Sequence, residues 1–560
     1  MKRFLYLAMA LVMILGVMAG CTGGGTSSTA DPSSTASSTA DSSSAAESTA
    51  STDEGGEAPA SDREILTITI NAADEGVSFD PANDAVAAEI YERFGIQFVP
   101  QNIQLTDGNE YTLLAASGDL PDVMYAEPLY YLDQFNSFVD QGYIREIPQE
   151  MIDKFPNVKN IIETSDSCTV DKEIHGGHYM LPKPDSMDRS LYIAERRGIF
   201  YRKDWAEKFG ITEAPTNTEE LYTMLKHFTE DDPDGNGAKD TWGLSAAKAG
   251  KLRIWFIAWG VDNQNWVKAE DGTWTHGQLT PNNIEPLEFF RQMYKEGILD
   301  PEFAQVDYKQ TQQKLAGGTV GAITRNADTD WINGVIVEQF GAANPDKDPF
   351  ETIGLIPILS KDAASEPLMH KYLLDMTATE FSADCTDEQL ERYLEFHDWA
   401  MTDEGVGFKL GIEGQDWEKS ADGHYVIIPT ADGSNPVPAN LYPSVGLLNM
   451  PSWGFELHSN YNWPIEKYGQ YADEVRDLSA WAREQRNPYA YPNNMNIKMI
   501  SSPSKLEADA FNFSNAVAEI IMGDAPVEDM FNDMVQKAMD TGFREAIEDV
   551  NAYAQEHGIE

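Results

Sequence analysis

Apolar positions between residues 65 and 130 recur with two alternating periods. Residues 65–70 (Ile-Leu-Thr-Ile-Thr-Ile) alternate apolar side chains with Thr, the two-residue repeat of a strand with one buried face. Residues 84–94 then set Val86, Ile90 and Phe94 on one face of a helix, and Gly95 ends it. Residues 96–99 read as a second strand, 109–117 as a short helix stopped by Gly118, and 123–125 as a third strand. Strands alternating with helices predict a parallel sheet with right-handed crossovers, whose ligands sit beyond the carboxyl ends of the strands. That rule singles out three loops, 71–78, 101–106 and 126–130. Farther along, Thr216 and Glu219 have the spacing of a capping box, and residues 319–324 read as a strand after a helix ending at Gly317 and Gly318.

The pattern upstream is of another kind. Lys2 and Arg3 precede an apolar run over residues 4–17, too short for the about 20 residues that cross a bilayer, and so a secretory signal. Met18-Ala19-Gly20-Cys21 resembles the lipobox of bacterial lipoproteins, which implies cleavage before Cys21 and a lipid on it. Residues 22–62 are mostly Ser, Thr, Ala and Gly without an aromatic side chain. Such a segment cannot bury enough apolar surface to offset its ordering entropy, so it is expected to be a disordered linker with a root-mean-square span of roughly 35 Å. The chain is thus expected on the extracytoplasmic face of a bacterial membrane, lipid-anchored but free to turn.

Composition narrows the partners. With 92 acidic and 40 basic residues the net charge is -52, which argues against nucleic acid and anionic lipid as partners. The roughly 500 residues after the linker exceed a single core and predict two or more domains. Cys168 and Cys385 are the cysteines left beyond Cys21, and one disulfide or two buried thiols fit the sequence equally.

Residues 115–124, Ala-Ala-Ser-Gly-Asp-Leu-Pro-Asp-Val-Met, resemble a signature of the extracellular solute-binding proteins of bacterial ABC sugar transporters. Other matches follow in that family's order: Tyr179-Met180-Leu181-Pro182, Tyr201-Arg202-Lys203-Asp204-Trp205 with Phe209-Gly210-Ile211, residues 294–303, Gly411-Ile412-Glu413-Gly414, and the last helices over 515–553. The resemblance implies an α/β, two-lobe periplasmic-binding-protein-like fold with a hinged interlobe cleft. Crossing segments are expected near 181–183, 370–373 and 444–448. The lobes are then discontinuous: after the signal (1–21) and linker (22–62), residues 63–182 and 372–445 form the first lobe, and 183–371 and 446–560 the second. It further implies capture of a carbohydrate by closure on it, with the closed form recognised by the permease subunits of an ABC importer; a monomer is expected.

Two sets of residues carry candidate chemistry. Asp232, Asp234, Asn236 and Asp240 place side-chain oxygens at alternate positions, with the Ala238 carbonyl between and Gly237 at the turn, the spacing of a loop that wraps calcium. The twelfth position is Gly243 where such a loop has Glu, so a structural clamp completed by Asp231, Thr241 or water is expected. For a sugar, flat aromatic faces and planar polar groups are wanted. The strand-end rule points to Arg325, Asn326 and Trp331; Trp259 and Trp453 stand beside glycine or near the third crossing, and Asp74, Tyr125 and Glu127 are the first-lobe candidates. His175-Gly-Gly-His178 reads as a turn, because two glycines preclude helical presentation of a metal pair. No Gly-x-Ser-x-Gly elbow, Walker loop or His-Glu-x-x-His occurs. The chain therefore reads as a binder and not an enzyme; a lipid-anchored polysaccharide-degrading enzyme using paired carboxylates and a surface glycan adhesin are the alternatives.

Overall fold

The structure, a computed structural model, describes residues 60–71, 77–101, 103, 108–129, 131–184, 194, 196–263, 265–370, 377–421, 425–431, 438–451, 470–491, 494–500 and 502–559. Residues from Gly55 onward form one compact unit, described here; the other unit, Met1–Glu54, lies outside the described residues and Cys21 with it.

The first sheet follows the hydrophobic pattern. Strands β1 (Leu66–Asn71), β2 (Ile96–Gln101) and β3 (Val123–Ala126) are parallel, with Leu66 opposite Ile96 and Ile70 opposite Val123. The helix Ala85–Phe94 between β1 and β2 starts where the Asp84 carboxylate accepts from the Val86 and Ala87 amides. It stops at Gly95, whose φ of 61° suits a residue without Cβ. Its face of Val86, Ile90 and Phe94 is buried. β4 (Leu181–Pro182) joins this sheet through a strand from much later in the chain.

β5 (Arg197–Arg202), β6 (Trp242–Ser245), β7 (Val320–Asn326) and β8 (Ile353–Ile356) form a second sheet in the order β8-β5-β7-β6. β9 (Ala378–Phe381) returns to the first sheet, whose order is β2-β1-β3-β9-β4. Helix Thr218–Glu230 packs beside the second sheet. Its cap is set one residue later than the sequence suggests: Asn217 accepts from the Glu220 amide, and Thr216 donates its N–H and hydroxyl to the Glu220 carboxylate. Asn217 wins because it is itself a strong cap former and the following Thr218 is drawn into the protein, 8% exposed.

Two principal cores accompany the two sheets. One is built from 68–181 and 378–450, and the other from 194–369 and 518–534. Leu447, Leu448 and Met450 belong to the first core, as do Met495 and Met499. The apolar face of helix Val445–Asn449, where the sequence reading puts a crossing, is buried in this first core.

Registers fix where the chain passes between sheets. Pro182 and Ala126 both stand opposite Ala378, so β4 leaves and β9 enters at the carboxyl end of β3. Arg197 stands opposite Asn326 and Ile199 opposite Ile356, so β5 enters and β8 leaves at the carboxyl end of β7. Both sheets thus present their strand-end loops on the side where the connections run.

Cys168 and Cys385 are buried free thiols. His175 closes helix Asp166–His175, Gly176 takes a φ of 81° after it, and Asp171 holds the turn by accepting from the Tyr179 amide at 2.7 Å beside His175 at 2.9 Å. Among the described residues no helix is long and apolar enough to cross a membrane.

Candidate functional site

At the carboxyl end of β3, Tyr125 is fixed from three directions. Its amide donates to the Asn71 side chain at 2.6 Å, and its carbonyl accepts from the Asn71 amide group at 3.0 Å, which locks the ends of β1 and β3 together. The Lys183 ammonium, at the start of the connection out of β4, donates to the Tyr125 hydroxyl at 2.9 Å and lies 4.6 Å from its ring centroid. Lys183 is 1% exposed, and its own amide donates to Thr377 O, at the start of β9. One lysine thereby ties both connections to the carboxyl end of β3. Glu127 follows in the same loop, its carbonyl accepting from the Tyr131 amide. Asp74 and Trp453 lie outside the described residues.

The second sheet carries the other half. Arg325 and Asn326 end β7, and the Arg325 guanidinium is clamped between two rings, 3.3 Å from the centroid of Trp331 and 4.2 Å from that of Tyr308. Trp331 sits in the turn Thr329–Ile332, held by Asp328, which accepts its amide at 3.1 Å, and the indole stays 38% exposed. Tyr308 opens helix Tyr308–Ala316 behind a capping box of Asp307 and Gln310. Arg197 donates to the Tyr308 hydroxyl, and Arg196 lies 3.6 Å from the Asp328 carboxylate. Burial pushes the Arg325 guanidinium down to about 10, the Tyr308 and Asp328 charges opposing the shift and Arg197 adding to it. Beneath, Trp255 donates to the Thr324 hydroxyl at 2.9 Å, and Arg197, Ile199, Trp255, Thr324, Ile356 and Leu359 line a small pocket.

Arg325, Asn326 and Trp331 are brought to one strand end. Trp259 is not among them: it packs edge-on against Phe289, 5.2 Å between centroids, at the margin of the second core, and Trp255 one turn earlier is the indole that reaches β7. Sequence reasoning passed over Asn71, Lys183, Arg197, Trp255 and Tyr308. An adjacent arginine pair in so acidic a chain was a usable signal for Arg197, and the Asp307/Gln310 spacing one for the helix that presents Tyr308.

The 232–240 loop is folded on itself. Asp232, with a φ of 50°, accepts from the amides of Gly235, Asn236 and Gly237 at 2.9 to 3.1 Å. The Asp234 and Asp240 carboxylates converge on the Asn236 amide nitrogen at 2.8, 3.2 and 3.3 Å. The described residues hold no group of three or more His, Cys, Asp or Glu arranged around a metal position. The donor set is nevertheless all oxygen, and a hydrogen-bond donor stands where two carboxylates meet, the environment a hard cation takes.

The family description "Bacterial extracellular solute-binding protein" matches residues 73–369, more than half of the chain. Lipoprotein LipO of Bacillus subtilis is 25% identical over 228 residues, 38% of this chain and 41% of LipO. The fructooligosaccharide ABC transporter substrate-binding protein FusA of Streptococcus pneumoniae is 26% identical over 239 residues, 41% of this chain and 44% of FusA. The matched stretch is thus less than half the length of these relatives. The structure of FusA in complex with kestose aligns with a TM-score of 0.62 at 18% identity, over 88% of this chain and 100% of that one. A FusA EF-hand mutant in complex with fructo-nystose gives 0.61 at 18%, over the same shares. An extracellular solute-binding protein from Bifidobacterium longum subsp. infantis gives 0.66 at 15% identity, over 88% of this chain and 98% of that one. At these identities the structural likeness is one of fold, and it is the two-sheet fold derived above. Together with the family match it settles the lineage: the chain belongs to the bacterial extracellular solute-binding proteins.

Proposed function

We propose that this protein is a lipid-anchored receptor that captures an oligosaccharide by hinged closure of its two lobes and hands it to the permease of an ABC importer. The observation that carries the reading is the placing of two polar and aromatic clusters, Tyr125 with Asn71 and Lys183, and Trp331 with Arg325 and Asn326, at the strand ends where both connections cross. A ligand touching both clusters gains contacts only in the closed form and so shifts the equilibrium by its differential affinity. FusA, named for fructooligosaccharide, supports the sugar class, and the name LipO supports anchoring through Cys21. In this reading Asp74, Glu127 and Trp453 complete the contacts, the protein acts as a monomer, and the sugar is released unchanged.

Titrating oligosaccharides against the tryptophan fluorescence, with product chains sized afterwards, tests this. Binding without shortening of the sugar is expected, and Trp331→Ala is expected to weaken it about tenfold, the upper range of one aromatic face. Shorter products would turn the reading to an enzyme, and preference for polymer without lobe closure in small-angle scattering would turn it to an adhesin.

We also propose that the 232–240 loop holds structural calcium through Asp232, Asp234, Asn236, Ala238 and Asp240. Its oxygen set and the EF-hand mutant of FusA support this. Calcium at ten times its Kd should stabilise the fold by about 1.4 kcal/mol. Chelation should therefore lower Tm by a few degrees, and Asp234→Asn should abolish that response; an equal Tm with and without calcium would refute the site.

A further inference from the structure

Two arginines that each lie between a pair of rings, Arg202 and Arg325, differ in one respect. Arg202 lies 4.3 Å from the Trp205 ring and 5.5 Å from the Phe340 ring, and its fork is closed by Asp204 at 2.7 and 2.6 Å. Arg325 lies between Trp331 and Tyr308 in the same manner, yet among the described residues no carboxylate pairs with it and no acceptor meets it. Its Nε is buried without a partner. This occurs in a chain with 92 acidic residues, where Arg93 and Arg145 each hold a carboxylate within 2.7 Å. A guanidinium shielded on both faces keeps only its edge for hydrogen bonding, and that edge fits a carboxylate or sulfate in two parallel bonds. Arg197 donates to the same Tyr308, the Lys251 ammonium is 5.7 Å from the Tyr308 ring, and Asp328 is engaged with Arg196 and with the Trp331 amide. Burial is the largest cause of the depressed guanidinium pKa, and the Tyr308 and Asp328 charges offset it only in part.

We infer that the second-lobe half of the site takes an anionic sugar unit, its carboxylate or sulfate pairing with the edge of Arg325 while the ring lies against the exposed part of Trp331. This rests on the carbohydrate reading above and specifies the ligand as an acidic oligosaccharide. The surface field of a protein this acidic repels such a ligand at a distance, so recognition has to come from a local, desolvated cation of this kind.

Calorimetry on the full chain with trigalacturonic acid, sulfated maltotriose, and the neutral trisaccharides kestose and maltotriose tests the inference. At least one anionic sugar should bind about tenfold or more tighter than every neutral one, and a response to only one of the two anions identifies carboxylate or sulfate as the group read. Arg325→Gln should erase that preference. Arg325→Lys, which keeps the charge and loses the fork, should restore part of it and guards against a variant that does not fold. Neutral sugars binding as tightly as the anionic ones, or an unchanged preference in Arg325→Gln, would overturn the inference and leave the carbohydrate reading standing. Binding of none of the four would overturn both.

Discussion

Glu380→Gln is expected to flatten the pH dependence of stability and to gain about 3 kcal/mol on the native protein at pH 7. Glu380 sits on β9 in the first sheet, 1% exposed, and accepts from the Tyr111 hydroxyl at 2.7 Å. Burial pushes its carboxyl from the ordinary 4.5 up to about 8; the Tyr111 hydrogen bond opposes this and Asp171 adds to it. The sign follows from proton binding. Between those two values the folded state keeps the proton while the unfolded chain releases it, so stability is full below about pH 4.5 and falls as pH rises to about 8. Each pH unit costs about 1.4 kcal/mol, and about 3 kcal/mol is gone at pH 7. Gln keeps an acceptor for Tyr111 and does not titrate. Urea unfolding between about pH 5 and pH 8 should show the natural protein losing stability relative to the variant; parallel curves would disprove the protonated carboxyl.

Gly321→Ala should cost about 3 kcal/mol. Gly321 lies in β7, and a Cβ there would stand 2.1 Å from Phe228 Cδ2 and 2.8 Å from Cγ, too close for any real pair of carbons. Phe228 cannot withdraw: it is fully buried in helix Thr218–Glu230 and meets Trp205 edge-on at 5.6 Å. Overpacking of a closed core is paid in off-rotamer side chains and shifted backbone, typically 1 to 3 kcal/mol. Shortening the partner makes room, so Phe228→Leu combined with Gly321→Ala should lose markedly less than the two separate losses added. Strict additivity would show that the ring is not what excludes the methyl group. The displaced strand also carries Arg325 at its end, so the single variant should bind ligand more weakly as well.

Much of this fold was legible because the periodicity was strong. β1, β2 and β3 and the two helices between them fall where the alternation of two and 3.6 residues put them, with ends within about two residues. The helix cap at 216–217 slipped by one, since Thr216 and Asn217 are both able to cap and only the burial of Thr218 decides between them. Arg325, Asn326 and Trp331 were reachable through the strand-end rule because all three follow one strand directly. Tyr308 and Arg197 reach the same point from a different helix and an antiparallel strand, and that register is written in packing, not in local pattern. The glycine beside Trp259 marks a turn, but the direction its ring takes, against Phe289, is likewise set by packing.

β9 is inserted between β3 and β4 in the first sheet, although 195 residues separate it from the end of β4. A growing chain that has passed β4 therefore has no neighbour to pair it with until residues 378–381 have been synthesised. Closure of so long a loop is slow. The four strands of the second sheet all lie between residues 197 and 356, so they are made before the first sheet can be completed.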